Sequence, residues 1–280
     1  MTDTRVAQRI TAERLLLIGW TRAILLQLAH PLIAAGVYDH SGFRGSPAAS
    51  ASRLHHTVRA MLTLTYGDPQ ASARTLEGIR TIHRRVNGTL PQDVGPFAAG
   101  TRYSAEDPSL VLWVHGTLVE SMLMTYEWCV APLTTSERDA YCRDAAWVAI
   151  GLGAVDADVP RTWTAMREYM RMAMTSGAIR VGPQARALSP FLLSPSLGRV
   201  LPGSVWLNTL LTSALLPPQI REQYGLELSP RQARRARRIC STLRMVRRFT
   251  PDVVALWSAA RRAESGGDSS ARHLHKERRA

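Results

Sequence analysis

The chain has 280 residues, 45% of them hydrophobic and 20% charged, an ordinary globular composition with ample length for a sizeable buried core. Its net charge of +13 is uneven, because fifteen Lys and Arg stand against six Asp and Glu between Arg221 and Ala280. No helix-turn-helix or zinc-finger pattern accompanies that charge, so specific nucleic-acid reading is not expected. A solvated helix face plus a loose tail is the plain reading of the basic end, and contact with a membrane surface is not indicated by sequence alone.

The elements fall out in order. A first helix is expected from about Ala12 to Ala29, stopped before Pro31, with a Gly- and Ser-rich loop behind it. Its apolar run, Leu15 to Ala35, is interrupted by Arg22, Gln27, His30 and Pro31, too polar for a clean membrane span and without a cleavage motif. A second helix is expected over Ser52–Tyr66. Asp68 then caps a third, with Pro69 at its first position and Asn87-Gly88 closing it. Gly88 to Tyr103 reads as a loop. Asp107 and Pro108 open a helix running to about Tyr126, and its opening, LVLWVHGTLV, is apolar all round and so buried on every side. Thr134 and Glu137 are spaced as a capping box for the next helix. After another helix, Pro- and Ser-rich connections between Gly177 and Gly203 lead to an apolar helix. A basic amphipathic helix then begins after Ser229, with Ala236, Ile239, Cys240, Leu243 and Val246 at helical spacing. A last helix from Pro251 ends near Ala263. No stretch alternates with period two. The expectation is an all-α fold, a single large domain of about eight to ten helices over residues 1–263, with 264–280 a disordered basic tail.

The cysteines, Cys129, Cys142 and Cys240, are odd in number and unpaired by spacing. That argues against a disulfide framework and a structural zinc site, and fits a reducing, cytoplasmic compartment.

Six of the eight histidines lie between His30 and His115. His83 shares a helical stripe with Leu76, Ile79 and Val86, so it faces inward, where an imidazole needs a hydrogen-bond partner or a metal. Arg80, one turn earlier, can neutralise an anionic group. His115 raises the same partner question inside an apolar helix, with Thr117 and Ser121 nearby. Arg53, His56 and Thr57 share one face, placing a cation, an imidazole and a hydroxyl together, or forming only an exposed polar surface. Asp39, His40 and Ser41 adjoin, but no G-x-S-x-G elbow or parallel sheet supports a hydrolase. An iron site of two histidines and a carboxylate, from His40, His83 or His115 with Asp39 or Glu120, finds no support in spacing. Zincin, P-loop and dinucleotide motifs are absent.

Five segments, RAILLQLAHPLIAAGVYDHSGF, RLHHTVRAMLTLTYG, IRTIHRRVNG, YSAEDPSLVLWVHGTLVES and ERDAYCRD, follow one another in the order and spacing of the MpaB-type oxygenases. That family shares its domain with the bacterial latex clearing proteins, and the chain resembles it from roughly Arg14 to Arg262. The resemblance implies an all-helical fold around a buried haem b, and oxygen chemistry on a hydrophobic small molecule. It implies His83, in an R-x-x-H segment with Arg80, as the proximal iron ligand. Arg53, His56 and Thr57 then occupy the family's distal R-x-x-K-T segment, and His115 with Thr117 a segment near the haem. His56 stands where the family has Lys. It could ligate the iron or donate to bound O2, and this departure leaves haem binding expected while weakening the case for rubber-type cleavage. Three readings follow: a haem-dependent oxygenase, a haem sensor or carrier without turnover, and a non-enzymatic scaffold with a basic binding helix.

Overall fold

The computed structural model describes residues 5–41, 47–194 and 203–263. The basic tail expected over 264–280, the loop residues 42–46 and the side chain of Arg53 lie outside the described residues. As expected, the fold is all-α, with helices α1 (Arg5–Thr11), α2 (Trp20–Leu28), α3 (Pro31–His40), α4 (Pro47–Tyr66), α5 (Pro69–His83), α6 (Pro108–Cys129), α7 (Thr135–Gly151), α8 (Trp163–Thr175), α9 (Pro183–Leu193), α10 (Ser204–Leu215), α11 (Pro218–Gln223), α12 (Pro230–Arg247) and α13 (Asp252–Ala255). A two-stranded antiparallel ribbon, β1 (Asn87–Thr89) and β2 (Arg102–Ser104), is the exception among the described residues.

The caps read from sequence at Asp68, Asp107 and Thr134 form as drawn, and Ser229 adds a fourth. Asp68, Asp107, Thr134 and Ser229 each accept a backbone N–H at a helix start, and Thr134–Glu137 and Ser229–Gln232 close as reciprocal boxes. α6, apolar around its circumference, is the central element and packs against α2, α7, α8 and α12. The main core gathers Leu25 and Leu26 of α2, Trp113 and Leu123 of α6, Met166 of α8 and Leu188 of α9. Gly116 is where α6 and α8 touch. A Cβ there would lie 2.9 Å from the Tyr169 ring and 3.1 Å from the Met170 sulfur.

Five expectations need correction. α9 forms inside the stretch read as Pro- and Ser-rich connections, and with the other short helices it carries the count among the described residues past the eight to ten expected. Pro31 does more than end the first helix. It is the first residue of α3, and the His30 ring accepts the Leu32 N–H as its cap. The first helix itself is a 3-10 turn over Arg14–Gly19 followed by α2. α5 stops at His83 rather than continuing to the Asn-Gly pair, because residues 87–89 pair with 102–104 inside the presumed loop. Gly88 lies opposite Tyr103, whose hydroxyl would sit 2.5 Å from any Cβ, so the ribbon needs glycine there. The last helix is divided: Glu13 bridges Leu256 and the Trp257 N–H donates to the Ala12 carbonyl.

No single helix among the described residues is long and apolar enough to cross a membrane, and the apolar run before and after Pro31 is bent by 107°.

Candidate functional site

Three histidines with lowered proton affinity gather about the N-terminal half of α6. His83 closes α5. A helix C-terminus favours a cation, and Glu106 pulls the same way, yet burial is the larger effect and holds the imidazole below the usual histidine range. Its Nδ1 is buried and has no hydrogen-bond partner among the described residues. The backbone beside it is fixed, because the Val86 carbonyl accepts the Ala105 N–H. Leu76, on the same face of α5, seats against Gly151 at the end of α7.

His115 stands two turns into α6 and is 7% exposed. Burial alone lowers it to about 4, and its Nε2 is likewise buried without a partner among the described residues. His30, the cap of α3, is lowered to about 4 by burial against the opposing pull of Asp107, the cap of α6. Its ring lies 5.3 Å from that of Phe97. All three are therefore neutral at pH 7. A neutral imidazole with a free nitrogen is the form that binds a metal. Sequence reasoning passed over His30. The signal was present, since a polar side chain directly before a Pro that opens a helix is a cap pattern.

Other sequence candidates have different surroundings. Arg80 is exposed on the last turn of α5. Thr117 is wholly buried, and its hydroxyl donates to the Val114 carbonyl at 2.8 Å, inside α6. His56 is exposed on α4, with its Nδ1 3.4 Å from the Ser52 hydroxyl and its ring edge-on to His55. Thr57 is exposed beside it. α4 packs along α5, which makes the helix carrying Arg53, His56 and Thr57 the neighbour of the one ending at His83. No hydrogen bond or ring contact joins His56 to His83 among the described residues.

Asp39, His40 and Ser41 do not form a catalytic relay. Asp39 accepts the Tyr103 hydroxyl at 2.6 Å, His40 Nε2 lies 3.0 Å from the Asn87 carbonyl, and the Ser41 hydroxyl turns back to the Val37 carbonyl. Glu120 is also engaged. Arg22, 1% exposed, donates to it at 2.7 Å, to the Ser121 hydroxyl at 2.6 Å and to the Leu215 carbonyl at 2.8 Å. This network ties α2, α6 and the end of α10 together through one buried guanidinium. Among the described residues no three His, Cys, Asp or Glu side chains converge on a bare metal ion. A haem iron asks for less, since one axial imidazole suffices. The residues at His83 fit that need: a neutral ring, a free buried nitrogen and a cation one turn away.

Residues 7–245 match the model of the family described as ER-bound oxygenase mpaB/B'/Rubber oxygenase, catalytic domain. No curated protein and no solved structure matches the chain.

Proposed function

The chain belongs to the mpaB/rubber oxygenase catalytic-domain family, and from that premise we propose that it is a haem b-dependent oxygenase acting on a hydrophobic small molecule, with His83 as the axial iron ligand. The observation that carries the proposal is the buried, unpartnered Nδ1 of His83 in a ring kept neutral by burial. Leaving a polar atom so placed costs about 1–3 kcal/mol unless something binds it. His83 would hold the iron, Arg80 would offer its charge to a propionate, and His115 with Thr117 would stand in the helical wall nearby. Haem, when bound, supplies O2 binding and electron transfer that no side chain here can.

The chain's own part is positioning and exclusion of water. Leu110, Val111, Leu112 and Trp113 make the start of α6 apolar and buried, which suits an apolar substrate. Arg53, His56 and Thr57 on α4 would supply the polar groups that meet oxygen. Arg53 and Thr57 keep the family's residue types, and His56 replaces its Lys.

Absorption spectroscopy with a pyridine haemochrome assay tests this. One haem per chain is expected in the wild-type protein, with a Soret band lost or shifted in His83→Ala. Protein that takes up no haem, or a His83→Ala spectrum identical to wild type, overturns the reading. The His56 replacement favours a second reading, a haem sensor or carrier without turnover. A ferrous form that stays six-coordinate and resists CO supports it, and reversal by His56→Lys would assign the behaviour to that residue.

A further inference from the structure

α12 has two faces with opposite characters. Ala236 and Cys240 are buried against the core, where the Cys129 and Cys240 thiols meet at 3.3 Å. Arg231, Arg234, Arg235, Arg238 and Met245 fall at i, i+3, i+4, i+7 and i+14, which is one stripe on the opposite face. Phe249 extends the stripe at i+18, in the turn closed by its N–H to the Val246 carbonyl.

The first half of the stripe is a concentrated cationic site. Among the described residues, those four arginines are the lining of an open surface cavity of about 500 Å3. None of the four has an ion pair among the described residues. Arg235 instead lies over the exposed Trp206 ring at 4.3 Å. The two arginines nearer the end of the helix are used internally: Arg247 grips Glu13 and Asp252, and Arg244 donates to the Trp128 carbonyl.

The second half is an apolar patch held on a firm base. Met245, Val246, Phe249, Val253 and Val254 are each half or more exposed, Phe249 at 82%. Five large apolar side chains within ten residues are not the scattered exposure ordinary for a surface. Beneath them Ala255 and Leu256 are buried, Leu256 bridges Glu13, and Arg247 joins α12 to α13. The chain's own basic end does not suit this patch as a cover. Residues 264–280 contain Leu274 as their one large apolar side chain, and their net charge has the sign of the arginine cluster.

We propose that this face docks on an anionic lipid bilayer, with Phe249, Met245, Val253 and Val254 entering the acyl boundary and the arginine cavity taking lipid phosphates. Arg238 and Phe249 are separated by eleven residues, about 16 Å along a helix axis, so both ends can meet one surface when the helix lies obliquely on it. Long arginine stems reach headgroup level while their guanidinium groups stay hydrated, and Trp206 beside them is a residue type suited to that depth. A nucleic acid accounts for the arginines but gives Met245, Val253 and Val254 nothing to pack on. The inference stands apart from the haem reading, because its test reads lipid binding and not turnover.

The test is cosedimentation of the full chain with vesicles. Binding is expected to equimolar phosphatidylserine and phosphatidylcholine, and to fall by about tenfold or more on phosphatidylcholine alone, as it should for Arg234→Glu with Arg238→Glu. Phe249→Ser with Val253→Ser is expected to weaken it by about tenfold. These positions are exposed, and unchanged circular dichroism checks the fold; Met245→Gln serves as a milder second variant with the same direction. Absence of vesicle binding overturns the proposal. So does vesicle binding that the serine and glutamine variants leave unchanged while a DNA duplex competes equally, which would make the face a general polyanion site. A concentration-dependent dimer abolished by Phe249→Ser would assign the patch to a second copy and overturn it as well.

Discussion

The N-terminal half of α6 and the outward face of α12 both carry nitrogen bases, and the fold treats them in opposite ways. Around α6, His30 and His115 are stripped of water and His83 is half-buried, and burial lowers the proton affinity of all three. Along α12, four arginines stay in solvent. Burial favours the uncharged form of a base, so a histidine can enter the core by giving up its proton, while an arginine cannot. Arg22 shows the alternative. It enters the core charged only because Glu120, Ser121 and the Leu215 carbonyl receive it. Interior bases are thus held as neutral lone-pair donors, and surface ones as hydrated cations.

Acid should break the comparison most strongly. His30 and His115 fall from 6.5 to about 4 on folding. The unfolded chain therefore takes up protons at these positions below pH 6.5 while the native protein does not. Stability is full above pH 6.5 and is lost as pH falls toward 4, by about 3 kcal/mol for each histidine at the lower limit. Urea midpoints measured across that range should show the fall, and His115→Leu should make it shallower by the share that His115 contributes. A flat profile would mean these rings are not neutral in the native state.

Arg22→Met should come next, at about 3–5 kcal/mol, because it strands the Glu120 carboxylate beside the core. The measurement is the thermal midpoint, and Arg22→Met with Glu120→Met should recover most of the loss. Ser229→Ala removes one half of the capping box of α12 and should cost about 1 kcal/mol by denaturant titration. Arg234→Ala with Arg238→Ala should change stability least, within about 0.5 kcal/mol each, since neither makes an ion pair among the described residues. A large loss there would erase the distinction between the two regions.

Local chemistry was readable where it acts over three or four residues. Asp68-Pro69, Asp107-Pro108, Thr134 with Glu137, and Ser229 placed four helix starts correctly, since a cap and its N–H are neighbours in the chain. The apolar circumference of the α6 sequence placed it at the centre. His83 was read as facing inward from the stripe of Leu76 and Ile79, and it is half-buried with its Nδ1 enclosed. The ribbon of 87–89 with 102–104 went unread because neither three-residue strand carries a pattern, and only the fit of Tyr103 over Gly88 selects the pairing. The division of the last helix depends on Glu13 and Ala12, more than two hundred residues away.

By itself the sequence determined the helical class, most helix starts, the family and the stripe on which His83 lies, because each is written in side-chain periodicity, short-range hydrogen bonding or linked segments. Only the tertiary structure decided which bases lose their protons and which keep them. Desolvation is set by the atoms that surround a group from every direction, and those atoms come from helices distant in the chain. That is why His30 read as an interruption of an apolar run and proved to be a buried cap. It is also why the arginines of α12 read as an ordinary solvated face until the apolar residues gathered at its other end.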